Sequence, residues 1–287
     1  MKNKSFKLLI YGLSAFFVLF INVALATGHP IINDSSVVSN GFKLRTIVID
    51  AGHGGRATGA SGAYSLEKNV TLAIALKLQQ AVQKEIKDLN VLMTRTTDVF
   101  VNNGLRAVMA NDNKANLYIS LHCNSLPNVR KVVNGKTVSV PNRSGKGVLL
   151  LVNIFRRSGE QVAAIMENQF AEEEKAYSKK EVTALSPEDA ITLNFLRDKY
   201  RKQSIHLANL VNNEFVNTDG RNSLGVIEQG VQVLAQTSMP SILVETGFIN
   251  NPEEEDYLNS DQGQNEIVNS IVRAIKQYKR EVEQVPQ

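Results

Sequence analysis

The chain has one cysteine, no tryptophan and only four histidines among its 287 residues. A lone cysteine, Cys123, cannot close an intramolecular disulfide, so no disulfide framework supports the fold. Paired CxxC elements are absent, which excludes thiolate zinc sites. Long charge runs are missing too: 21% of residues are charged against 43% hydrophobic, a globular balance rather than a disordered one. No internal repeat and no second domain is visible. The length suits one large domain or two small ones.

What is present begins with an export pattern. Lys2, Lys4 and Lys7 precede an apolar run from Leu8 to Ile21, and Ala24-Leu25-Ala26 supplies a small-residue cleavage site. Residues 1–26 are therefore expected to be a secretory signal peptide. A retained membrane anchor is the alternative, but the run is short for a span of about 20 residues. No cysteine follows the site, so lipid attachment there is excluded. Residues 27–43, with Gly28, Pro30, Asn40 and Gly41, read as a polar tether.

From Arg45 the pattern becomes regular. Arg45–Asp50 reads as a buried strand ending in a glycine-rich loop, and Val70, Ala73, Ile74, Leu78, Ala81 and Val82 recur at helical spacing. Val91–Arg95 is a second strand, Leu105–Ala115 a second helix, Leu117–His122 a third strand, and Gly147–Val152 a fourth after a polar loop. A helix follows over Glu188–Phe215, with Ile191, Phe195, Ile205, Ala208, Val211 and Phe215 on one side. Val231–Leu234 and Ser241–Glu245 complete the expected strands, and Ile267, Ile271, Ile275, Tyr278 and Val282 mark a final helix. The alternation predicts a three-layer α/β/α fold around a twisted, mostly parallel sheet of about six strands. Ligands of such sheets bind outside the carboxyl ends of strands, so the loops after Asp50, His122 and Glu245 are the places to look.

Three of these places carry metal-capable side chains: His53 in AGHGG, Glu67 in SLEKN and His122 in LHCNS. Two histidines and a glutamate form a common catalytic zinc set with a fourth position open to water. Glu245 closes the apolar strand SILVE, where a carboxylate is costly unless it is used or paired. Cys123 adjoins His122, but strand neighbours point to opposite faces, so it is expected to pack in the core. His29 and His206 match no ligand pattern. Arg95 and Arg106 are each expected to pair with a buried carboxylate rather than to touch a substrate.

The segments TIVIDAGHGG, SLEKNVTLAIALKL, LMTRTTD, LRAVMAND, LYISLHCNS and MPSILVETGFINNPEEEDYL resemble, in order and spacing, the catalytic domain of bacterial zinc-dependent N-acetylmuramoyl-L-alanine amidases over about residues 45–280. The resemblance implies one zinc ion per chain held by His53, Glu67 and His122, with Glu245 as the catalytic carboxylate. It implies hydrolysis of the bond between N-acetylmuramic acid and L-Ala of peptidoglycan, in cell separation or wall turnover. Residues 44–287 would form the catalytic domain. Relatives from Gram-negative division systems carry a segment whose helix covers the zinc, and the acidic insertion at about 153–187 stands at the matching place. Glu167 is its candidate blocking residue, with Glu160 and Glu172–Glu174 as others, and an activator protein would release it. The resemblance further implies periplasmic location, no nucleic-acid partner and a monomer. A non-catalytic wall-binding protein and a zinc peptidase remain the competing readings.

Charge completes the picture. The formal net charge is +4, but removing the three lysines of residues 1–26 leaves 29 basic against 28 acidic residues. Recognition of the wall is therefore expected from the zinc cleft and a recruiting protein, not from a basic surface.

Overall fold

The structure is a computed structural model, and it describes residues 42–154, 164 and 187–284. The expected signal peptide, most of the tether, and Glu160, Glu167 and Glu172–Glu174 of the insertion lie outside the described residues.

Eight strands and six α-helices are described. The strands are β1 (Thr46–Ala51), β2 (Asn90–Met93), β3 (Leu117–Asn124), β4 (Val129–Val133), β5 (Lys136–Val140), β6 (Val148–Asn153), β7 (Ser223–Gln229) and β8 (Ser241–Phe248). The helices are α1 (Glu67–Glu85), α2 (Asn103–Asp112), α3 (Pro187–Asn213), α4 (Gln232–Ala235), α5 (Pro252–Asn259) and α6 (Asp261–Gln284). A five-residue π turn, Glu214–Thr218, prolongs α3. Six strands form one sheet in the order β2-β1-β3-β8-β6-β7. Every neighbouring pair is parallel except β6 with β8.

Period-2 alternation divides the core between the two faces. Ile47 and Ile49 of β1, Ile119 and Leu121 of β3, and Ile242 and Val244 of β8 pack with α1, α3 and α6 residues such as Ile74, Leu78, Leu207, Ile271 and Ile275. Val48, Tyr118 and Leu243 point the other way, toward Ala110 of α2 and Leu234 of α4. The three-layer reading is thus borne out, with a sheet of six strands.

Three local expectations are corrected. Val231–Leu234 is not a strand: Val233, Leu234 and Ala235 bury one side of the short helix α4. The strand lies upstream, at Ser223–Gln229, and was hidden because an edge strand exposes Leu224 and Ile227 and carries Gly225. Ile191 and Phe195 do not face the core; both are about two-thirds exposed. The buried side of this part of α3 is taken by Leu193 instead, at 2% exposure. Finally, the polar loop after β3 contains the antiparallel hairpin β4–β5. Its turn residues, Asn134 and Gly135, both adopt positive φ (52° and 72°), the geometry that favours Asn-Gly in two-residue hairpins.

Candidate metal centre

The site forms where β1, β3 and β8 end. In the parallel register His122 stands beside Glu245, and alternation sends both to the same face of the sheet. His53 follows β1 with φ at +60°, an uncommon conformation for a residue other than glycine. Glu67 is the first residue of α1, where the exposed N–H groups of a helix favour negative charge. The carboxylate joins the two histidines: its Oε1 lies 3.1 Å from His53 Nε2 and 2.9 Å from His122 Nδ1. These three ligand atoms lie within 4.8 Å of one another.

Two backbone N–H groups hold Glu67 in place. Cys123 N–H donates to Oε1 at 3.0 Å and Ala60 N–H to Oε2 at 2.7 Å. Burial opposes ionisation of Glu67, but the bonds to His122 and His53 outweigh it and hold the carboxyl well below its usual range. Burial likewise disfavours the charged form of His122, and its contact with Glu67 reverses the balance, raising its pKa. Glu245 differs. Burial pushes it up to about 7, opposed by His122 and assisted by the negative charge of Glu67. Its Oε2 is buried and has no hydrogen-bond partner among the described residues. A buried carboxylate oxygen left unpaired beside such a centre is a group able to take a proton.

The glycines serve the centre by making room for its side chains. A Cβ on Gly59 would lie 2.4 Å from Glu67 Oε2 and 2.7 Å from His53 Cδ2. One on Gly52 would meet His122 Cε1 at 2.5 Å. Close approach of ligand residues, rather than of substrate, is what these positions require.

A second layer fixes the loops. Asp50 is 1% exposed and accepts from Thr94 and Ser120, each at 2.6 Å, and from Arg106. Arg106 also donates to the carbonyls of Ala51 and His53, so it pairs with a buried carboxylate as expected while steering the His53 loop. Arg95 departs from expectation. Its guanidinium binds the carbonyls of Ala51, Gly52, Lys68 and Thr97, not a carboxylate. Glu255 was not singled out by its sequence. Its carboxylate accepts the N–H groups of Ala63, Tyr64 and Ser65, at 2.7 to 2.9 Å, and so pins the turn that leads into Glu67. Three glutamates in a row at the start of α5 conceal which one is buried.

The bystanders are as expected. Cys123 is buried in the core cluster, with Sγ 3.6 Å from Thr246 Oγ1. His206 sits on α3 beside Glu281 and Tyr278, far along the chain from any ligand.

Comparison with known proteins bears on the family. Residues 47–277 match the family model described as N-acetylmuramoyl-L-alanine amidase. The chain is 29% identical over 236 residues to the N-acetylmuramoyl-L-alanine amidase AmiC of Escherichia coli O6:H1, covering 81% of this chain but 52% of that protein. It thus spans about half the length of that relative. It is 33% identical over 233 residues to a putative N-acetylmuramoyl-L-alanine amidase of Buchnera aphidicola, covering 81% of this chain and 95% of the other. Among solved structures, the amidase AmiC2 of Nostoc punctiforme superposes with a TM-score of 0.55 at 25% identity, over 84% of this chain and 99% of that one. By sequence and by fold, the chain belongs to the N-acetylmuramoyl-L-alanine amidase family.

Proposed function

We propose that this chain is a zinc-dependent peptidoglycan hydrolase that cuts the amide bond between N-acetylmuramic acid and the L-Ala of the stem peptide. The observation that carries the reading is the convergence of His53 Nε2, Glu67 Oε1 and His122 Nδ1 on one point beside the unpartnered, buried Oε2 of Glu245. Two imidazoles and a carboxylate suit zinc, and three protein ligands leave a position for water or substrate. When bound, zinc lowers the pKa of a coordinated water to about 7 and polarises a carbonyl.

The chain's own residues supply the rest. Glu245 Oε2 accepts the proton of the attacking water and returns it to the nitrogen of the departing L-Ala. Burial of that carboxyl with one oxygen unpartnered leaves it free to take up and return the proton. Glu67, held ionised, balances the charge of the metal and keeps both imidazoles in line. Asp50, Arg106, Arg95 and Glu255 fix the loops that present these groups.

Mass spectrometry of sacculus digests tests the reaction. Intact stem peptides beginning with L-Ala are the expected product; internal peptide cuts would show a peptidase instead. Glu245→Gln should abolish dye release from labelled sacculi while zinc content stays at one ion per chain, and full activity in that variant would overturn the mechanism.

Export and regulation belong to the same proposal. Residues 1–26 would direct the protein to the periplasm, and the 153–187 segment would restrain it until an activator binds. Both described flanks of that segment, Asn153 and the start of α3, lie toward the edge of the sheet opposite the metal centre, because β6 runs antiparallel to β8. Deleting residues 158–184 should raise basal activity on sacculi; unchanged activity in a folded deletion protein would end the autoinhibition reading.

A further inference from the structure

The near-neutral sum of charges hides a local excess. Between Cys123 and Gly147 stand Arg130, Lys131, Lys136, Arg143 and Lys146, with no aspartate or glutamate among them. The structure gathers three of these on the β4–β5 hairpin. Lys131, opposite Val138, and Lys136, opposite Val133, share one face of the hairpin, and Arg130, opposite Ser139, takes the other. Every residue from Pro127 to Ser139 is exposed, Val132 to 73%. Lys146 is paired with Glu253, whereas Arg130, Lys131 and Lys136 have no acidic partner among the described residues.

The base of the hairpin is fixed to the catalytic edge. Asn250 donates to the carbonyls of Leu126 and Asn142, at 2.9 and 3.0 Å, and Asn251 donates to that of Arg143 at 2.9 Å. Both asparagines follow Glu245 at the end of β8. Gly145 is packed so closely on the Phe248 ring that a Cβ would lie 2.3 Å from it. A firmly rooted, solvent-exposed cationic arm thus rises from the rim that carries His122 and Glu245.

Exposed cations grip a single small anion weakly, but several engaged together by a repeating polyanion give binding through avidity. The exposed valines between them suit a peptide better than a strongly hydrated phosphate chain. We propose that the hairpin is a second contact with the polymer, in which Arg130, Lys131 and Lys136 bind carboxylates on stem peptides neighbouring the one held at the metal centre. The inference rests on the amidase reading for its choice of polymer. Lysines on an exposed hairpin also discourage edge-to-edge pairing, a role that would leave binding to sacculi indifferent to them.

Co-sedimentation with sacculi tests the arm without catalysis. In the Glu245→Gln background, Arg130→Gln, Lys131→Gln and Lys136→Gln together should weaken binding roughly ten-fold or more at low salt, with the difference shrinking at high salt. The thermal midpoint should not move, because the three side chains are exposed. Sacculi whose carboxylates have been converted to neutral amides should bind the parent no better than the triple variant. Equal binding of parent and triple variant to untreated sacculi would overturn the proposal. So would undiminished binding of the parent to amidated sacculi, or a loss confined to phosphatidylglycerol vesicles. Failure of the amidase reading is separate: the wild-type chain would then leave both sacculi and a soluble muramoyl peptide uncut.

Discussion

Strands β2, β1, β3 and β8 run one way through the sheet, and β6 and β7 run the other. The parallel half brings the carboxyl ends of β1, β3 and β8 to one edge, which is where His53, His122 and Glu245 stand. The reversed half brings only strand beginnings to that edge, so what it contributes there is connections: the cationic hairpin ahead of Val148 and the turn ahead of Ser223. Burial differs as well. Strands β1, β3 and β8 are covered on both faces, while β7 exposes Leu224 and Ile227. Strand β6 is buried as they are, so the exposed setting is that of the edge strand β7 alone, where a polar side chain can stay in water.

This contrast can be broken most sharply at Glu67, because one carboxylate binds both histidines and two backbone N–H groups. Glu67→Gln should remove zinc, read by elemental analysis of the purified protein, and take sacculus hydrolysis below detection. A variant that kept its zinc and its activity would show that the parallel edge does not build the centre as described.

Arg106 comes next. Burial alone would drive the Asp50 carboxyl up, yet Arg106, together with hydrogen bonds from Ser120 and Thr94, holds it below its ordinary value of 3.8. A depressed folded-state pKa contributes stability in full above the ordinary value, and that contribution is lost as pH falls through the folded value. Arg106→Met leaves the carboxylate buried and unpaired, at a cost of about 3–5 kcal/mol in denaturant unfolding near neutrality. The gap between variant and wild type should narrow on acidification, because protonating Asp50 removes the wild type's contribution and relieves the variant's uncompensated buried charge. A smaller effect follows for Glu255→Ala, which strands the N–H groups of Ala63, Tyr64 and Ser65; about 1–3 kcal/mol is expected, with a fall in zinc retention because the turn before Glu67 loosens.

The same contrast explains what the sequence disclosed. His122 and Glu245 stood out as polar residues closing apolar strands, whereas Glu67 opens a helix and His53 lies in a glycine-rich loop, and it was the family resemblance that joined the four into one site. Cys123 followed from alternation alone. Strand β7 was not legible, since an edge strand needs apolar residues on little of its surface and Gly225 interrupts even that. The hairpin could have been found from Asn134-Gly135 set between valine-rich runs. Its charges were missed for another reason: a summed net charge reports nothing about segregation, and 29 against 28 conceals five cations in one loop. Arg95 and Glu255 act on backbone groups, and the partners of such contacts come from distant loops that no local pattern reveals.

The smallest effect is expected on the reversed half, and its size is informative. Glu228 of β7 is paired with Arg201 of α3, and both side chains are about one-third exposed. Water screens such a pair, so Glu228→Gln should change unfolding free energy by at most about 1 kcal/mol. Ile227→Thr, at a position 45% exposed, should likewise cost little. Neither substitution should alter zinc content, since β7 meets the edge that carries His53, His122 and Glu245 only through its first residue, Ser223. A loss above about 2 kcal/mol at either position exceeds what an exposed site can give. It would mean that β7 is covered in solution and that the two halves of the sheet are more alike than their described surfaces indicate.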